Sequence, residues 1–216
     1  MNILILGSTG LIGAHVLNIC CEDHFFSTVR TLVRRSQNAI NSKHQIHVNE
    51  MSQLETAADA FSVDVVVCAL GTTIKKAGSK DAFKKVDLDL VVNCANMAKK
   101  SGVKHYVVVS SLGAKSDSAN FYLNIKGQME ESLKTLAFEK LSIVRPSLLL
   151  GKRNDFRFGE YIGGKVFPLM NLLLHHNFKK YRAIQGEDVA KAIVHIIKDQ
   201  GTYEPLEVKT YIKSEC

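Results

Sequence analysis

Tyr122-Leu123-Asn124-Ile125-Lys126 sets a phenol and an amine four residues apart, which on a helix is one face. A free phenol titrates near ~10 and is poorly poised at neutral pH. A nearby ammonium favours its ionised form. A phenol tuned in this way can protonate a carbonyl oxygen, or take the proton back, as a general acid or base. Just upstream, Val107-Val108-Val109-Ser110-Ser111 reads as a strand ending in two hydroxyls. Ser111 is the one expected to hydrogen-bond the same oxygen and stabilise charge developing there. Tyr122, Lys126 and Ser111 are therefore the candidate catalytic residues. Tyr-x-x-x-Lys arises often by chance, and the competing reading is an amphipathic helix whose Tyr and Lys face solvent.

A second pattern gives that chemistry a partner. The first apolar run, Asn2–Leu6, leads at once into Gly7-Ser8-Thr9-Gly10-Leu11-Ile12-Gly13 and then a helical pattern. One glycine permits a sharp turn off the strand, one lets the backbone approach a pyrophosphate, and the last allows close helix–strand packing. The helix N-terminus then faces the phosphates. The context, between a first strand and a first helix, makes a dinucleotide site the reading and a plain Gly-rich turn the alternative. The second strand ends in Leu32-Val33-Arg34-Arg35, and no Asp or Glu lies from Phe25 to Gln45. An acid there would hold a ribose 2′-hydroxyl, whereas a guanidinium pairs with a 2′-phosphate. The expected cofactor is NADP(H) rather than NAD(H), with Lys126 also able to hold the nicotinamide ribose.

Short β-branched runs alternate with amphipathic stretches. The expected strands are Asn2–Leu6, Val29–Val33, Gln45–Val48, Asp64–Ala69, His105–Ser110, Leu141–Arg145 and Leu206–Tyr211. The expected helices are Leu11–Cys21, Leu54–Phe61, Asp81–Ser101, Phe121–Phe138 and Glu187–Lys198. This alternation predicts an α/β fold, a Rossmann-type doubly wound parallel sheet, in a single domain over residues 1–216. Residues 151–185 break the rhythm and read as an insertion that covers one end of the sheet on the substrate side.

Composition narrows the classes. The 216 residues are 46% hydrophobic and 23% charged, a globular balance for one domain. No run approaches the ~20 apolar residues of a membrane span, and Met1 leads straight into the first strand without a secretory pattern. The five cysteines show no paired or metal-ligand spacing, which favours a reducing compartment, read as the cytoplasm, and no metal site. A net charge of +7 fits either ordinary solubility or an anionic ligand. His175-His176-Asn177-Phe178-Lys179-Lys180-Tyr181-Arg182 mixes bases with aromatics; a lid with a solvated end is preferred over a nucleic-acid surface. Among the acids, Asp87 is expected to cap or contact a loop. The expected assembly is a monomer or weak homodimer, for which the long helices are the available surfaces.

Together these residues resemble the short-chain dehydrogenase/reductase superfamily, in its atypical branch, and within it the NADPH-binding Tat-interacting oxidoreductase-like group. The resemblance also rests on Ala69-Leu70-Gly71-Thr72-Thr73, Lys76-Ala77-Gly78, Val86-Asp87, Gly113-Ala114, Lys126-Gly127, Arg145-Pro146 and Leu148-Leu149. It implies that Thr9, Gly10, Leu11 and Ile12 line the pyrophosphate and that Arg34 and Arg35 hold the 2′-phosphate. It implies further that Leu70 and Gly71 lie along the adenosine half, with Leu149 and Arg157 near the nicotinamide end beside Tyr122 and Lys126. Gly7, Ser8 and Gly13 complete the expected cofactor set. Two departures from the pattern are Val48-Asn49-Glu50, where relatives often carry Asp, and Ser147, where Gly is expected.

The expected activity is an NADPH-dependent oxidoreductase acting on a small-molecule carbonyl or alcohol, without nucleic acid or membrane span. The alternative is an NADPH-binding redox sensor or scaffold with little turnover, since fold alone does not give function. A nucleotide-sugar epimerase ranks third, because such enzymes usually carry a larger substrate domain.

Overall fold

The computed structural model describes residues 1–51, 53–147, 149–150 and 184–199. The chain opens with β1 (Asn2–Leu6) and α1 (Leu11–Glu22), then runs through β2 (Thr28–Val33) and β3 (His44–Val48). It returns to the other side of β1 with β4 (Val65–Cys68), then β5 (His105–Val109) and β6 (Lys140–Val144). The six strands are all parallel, in the order β3-β2-β1-β4-β5-β6. This is the doubly wound Rossmann order, and its reversal between β1 and β4 opens a crevice at the carboxyl ends of those strands. The strands match the expected runs to within about a residue at most ends. The expected strand Leu206–Tyr211, the insertion up to residue 183 and Cys216 lie outside the described residues.

Both faces of the sheet are covered, which is why the strands are continuous apolar runs. Successive residues of β1 alternate between two cores. Ile3 and Ile5 join Val65, Val67, Val107 and Val109 under α1 and α6 (Gly186–Lys198). Leu4 and Leu6 join Val66, Cys68, Tyr106 and Val108 on the opposite face, under α4 (Val91–Lys100) and α5 (Phe121–Thr135). The acids Glu187 and Asp188 lie in the first turn of α6, where they complement the helix dipole. Asn120 caps α5, its Oδ1 accepting from the Leu123 N–H at 3.2 Å.

Three departures from the sequence pattern have physical causes. Leu54–Phe61 is a 3₁₀ helix with a kink at Ala57, and its buried Leu54, Ala57 and Ala60 recur every third residue, the 3₁₀ period. A short helix, α2 (Ile74–Ala77), follows β4; the Thr73 hydroxyl accepts from the Lys76 N–H, and Gly78 at φ +83° closes it. The expected helix Asp81–Ser101 starts one residue earlier as α3 (Lys80–Lys84) and runs into α4 through a π-helical turn, Lys85–Leu90. That turn buries Asp87, at 1% exposure, against groups described below. The two long helical segments pack on each other within the chain, on one face of the sheet. Among the described residues no helix is long and apolar enough to cross a membrane. Cys20, Cys21, Cys68 and Cys94 are free thiols in the core, and burial raises the pKa of each, so they are poor nucleophiles.

His105 makes the sheet acid-sensitive. It is buried, with Nε2 2.9 Å from Ser142 Oγ on β6. Burial, with a contribution from Lys140, pushes its pKa down to about 4. The unfolded chain, with histidine near ~6.5, therefore binds the extra proton first as pH falls, and stability drops between about pH 6.5 and 4. At 1.36 kcal/mol per unit, the loss from this residue is about 3 kcal/mol. Urea denaturation at pH 7 and pH 4.5 should show that loss in the wild type and a smaller one in His105→Gln.

Candidate functional site

The glycine loop is pressed against the end of β4. Gly7 sits at φ +81°, and a Cβ there would lie 2.6 Å from the Ala69 carbonyl oxygen. A Cβ on Gly13 would lie 2.2 Å from the Gly7 oxygen, so α1 packs on its own entry turn. Gly10 N-caps α1. The first N–H groups of α1 have no intrahelical acceptor and form, with the dipole, an anion-binding end. The Ser8 hydroxyl is buried without a partner among the described residues, as expected of a donor whose acceptor is a bound phosphate. A dinucleotide therefore fits this loop.

From the loop the crevice opens into a cleft of about 570 Å³, its mouth included. Leu11 and Ile12 line it from the loop, Leu70 and Thr72 from the end of β4, and Ser110 and Ser111 from the end of β5. Tyr122 and Lys126 line it from α5, and Leu149 from β7 (Leu149–Leu150), which pairs with β8 (Ile184–Gln185). The structure thus brings Leu11, Ile12, Leu70, Ser111, Tyr122, Lys126 and Leu149 to one cavity. Gly71 sits between two lining residues, and Thr9 lies exposed on the glycine loop. Arg34 and Arg35 are exposed beyond the end of β2, next to β1. Arg157 lies outside the described residues.

The Tyr122 ring packs on Phe83, with centroids 5.7 Å apart and planes at 47°. One turn on, Lys126 is 4% exposed. Its Nζ lies 2.9 Å from Asp87 Oδ1, and Asp87 Oδ2 accepts from the Thr72 N–H at 2.8 Å. Burial works against the Lys126 ammonium. Asp87, Tyr122 and Cys68 together outweigh it, and the pKa of Lys126 lies above its ordinary value. The ammonium expected to act on Tyr122 and the nicotinamide ribose is thus also paired with a carboxylate. Asp87 does contact a loop, as expected, but its lysine partner was not foreseen. A single acid between the apolar Val86 and Leu88 was the available signal.

Two turns beyond Tyr122, on the same face of α5, Glu130 is buried at 1% exposure. Its Oε1 accepts from the Ser110 hydroxyl and from Arg145 Nε, the latter at 3.0 Å, and its Oε2 accepts from Arg145 Nη2. The network ties α5 to the carboxyl ends of β5 and β6. It also commits the proton of Ser110. Ser111 Oγ, by contrast, lies 3.4 Å from the Leu112 oxygen, a contact too long to hold it firmly. Both Ser110 and Ser111 line the cleft. Glu130 was missed in the sequence, although its spacing from Tyr122 and Lys126 keeps all three on one helix face.

Comparison with known proteins places these features. The chain is 34% identical to "Protein FMP52, mitochondrial" of Debaryomyces hansenii over 92% of its length and 88% of the relative's. It is 38% identical to Protein HTATIP2 of Rattus norvegicus over 77% of its length and 70% of the relative's. Its fold is similar to a solved UDP-Glc/GlcNAc 4-epimerase from Campylobacter jejuni, with a TM-score of 0.70 at 15% identity over 93% of this chain and 76% of that one. Likeness at that identity carries the fold and not the reaction. The expectation of a cytoplasmic protein is overturned, because several of the fungal relatives are named as mitochondrial. Unpaired cysteines report a reducing environment without saying which reducing compartment it is. The family model described as NAD(P)H-binding matches residues 7–200, and the chain belongs to that NAD(P)H-binding family.

Proposed function

We propose that this protein is an NADPH-dependent oxidoreductase of the atypical short-chain type, acting in mitochondria on a small-molecule carbonyl or alcohol. The observation that carries the reading is a single cleft in which the glycine loop meets Tyr122, Lys126 and Ser111. Leu11 and Ile12 would hold the pyrophosphate with the buried Ser8 hydroxyl, and Leu70, Gly71 and Leu149 would flank the rest of the dinucleotide. Arg34 and Arg35 would hold the 2′-phosphate as paired guanidinium donors. The nicotinamide supplies or accepts the hydride. Tyr122 gives the carbonyl oxygen its proton, or removes one from an alcohol. Ser111 donates a hydrogen bond to the same oxygen. Lys126 would present its donors to Tyr122 and the nicotinamide ribose. Residues 151–185 would supply the substrate side, with Arg157 near the nicotinamide end.

Calorimetric titration with NADPH and NADH in parallel tests this. Binding of NADPH at least about tenfold tighter than NADH, or ~1.4 kcal/mol, is expected, with the preference lost in an Arg34→Ala/Arg35→Ala variant. Equal affinities would remove the arginines from cofactor choice. Binding of neither would end the oxidoreductase reading and leave the scaffold role.

A further inference from the structure

We propose that Asp87 is a positioning residue for this site, one carboxylate that joins the Lys126 ammonium to the backbone of the Leu70–Thr73 loop. The inference rests on the NADPH-binding reading and adds a residue that reading does not need. Its two oxygens do different work: Oδ1 meets Lys126 at 2.9 Å, and Oδ2 accepts the Thr72 N–H at 2.8 Å. Both side chains of the ion pair are at least nine-tenths buried, so solvent neither screens the pair nor replaces it. The π-helical turn Lys85–Leu90 presents Asp87; such turns inside helices recur at functional positions.

The chemistry of the pair defines what Asp87 does. A lysine ammonium has three donors and no acceptor. With one donor fixed on Asp87, the others have defined directions along the cleft. Tyr122 and Cys68 are the other groups that act on the ammonium. Asp87 is the carboxylate among these neighbours and supplies the counter-charge. Without it, only Tyr122 and Cys68 oppose burial, and the amine is driven toward its neutral form. The Thr72 bond adds a second effect. Thr72 lines the cleft, so the loop beside the cofactor and the charge on Lys126 answer to one carboxylate.

Fluorescence titration with NADPH from pH 7 to pH 10 tests the proposal in wild type, Asp87→Asn and Asp87→Glu, with far-UV circular dichroism to follow folding. Asparagine keeps an acceptor for Thr72 and removes the charge. Wild-type affinity should stay level across this range, because Lys126 remains an ammonium. Asp87→Asn should bind less tightly at pH 7 and lose a further factor of about ten by pH 10, as the buried amine sheds its proton. Asp87→Glu keeps the charge, so its affinity should be lower but level with pH. A merely structural role would weaken both variants by a factor independent of pH, and that result overturns the proposal, as does an Asp87→Asn profile superimposable on wild type. If Asp87→Asn fails to fold, an Asp87→Glu profile that falls with pH overturns it equally. Failure of the wild type to bind NADPH would instead defeat the functional reading beneath it.

Discussion

Replacing Lys126 with methionine should lower stability by about 3–5 kcal/mol, the usual cost of leaving one member of a buried ion pair alone. Asp87 would then be buried without its counter-charge, with the Thr72 N–H still bonded to it. Adding Asp87→Asn should restore most of that stability, because the second change removes the stranded charge and keeps an acceptor for Thr72. Urea midpoints for the wild type, both single variants and the double variant give the coupling directly. Turnover should behave differently. On the proposed mechanism the loss of Lys126 slows NADPH oxidation with an accepted carbonyl by about 10²-fold or more, and the double variant stays slow although its fold is restored. A double variant as active as wild type would remove the lysine from the reaction and leave the pair a structural one.

The second large effect is predicted at Gly127, adjacent to Lys126 on α5. A Gly→Ala change inside a helix ordinarily stabilises by about 1 kcal/mol. Here the sign should invert. A Cβ at Gly127 would lie 2.1 Å from the Lys115 carbonyl carbon and 2.2 Å from the Ser116 nitrogen, which are backbone atoms without a rotamer to yield. The loop is held against this same helix, with Lys115 N–H donating to the Leu123 oxygen and Asn124 Nδ2 to the Ser116 oxygen. The expected loss is about 3 kcal/mol or more, seen as a Tm lower by roughly 6–12 °C for a chain of this size. A Tm at or above wild type would mean that α5 and the 113–118 loop separate more easily than their contact distance indicates.

What the sequence made legible follows from what local patterns can encode. The strands were readable because a parallel sheet covered on both faces demands unbroken apolar runs, and Val65–Cys68 and His105–Val109 are such runs. The glycine loop was readable because the turn needs glycine at fixed spacing. The 3₁₀ helix at Leu54–Phe61 and the π turn at Lys85–Leu90 were not, since both were judged against a period of 3.6 residues. The ion pairs escaped for another reason. Nothing local to Asp87 or Glu130 names Lys126 or Arg145 as a partner; the fold makes those pairings by bringing α5 against the π turn and the end of β6. Tyr122 and Lys126 were found through their spacing, while the groups that hold Lys126 and Ser110 in place came only with the tertiary structure.

The packing of α6 on α1 sets an order of events during synthesis. The inner face of α1, with Ile12, Val16 and Cys20, rests on Val189, Ile193 and Ile196 from the far end of the chain, and Gly186 lies close against Leu11. The ribosome therefore delivers the glycine loop and its helix long before the surface that covers them. At roughly 5–20 residues per second, the apolar back of α1 waits on the order of ten seconds or more for its cover. Throughout that interval the nascent chain exposes an apolar stripe directly behind the glycine loop. The covering of the nucleotide-binding end is thus a late event, although its residues are made well before those that cover them.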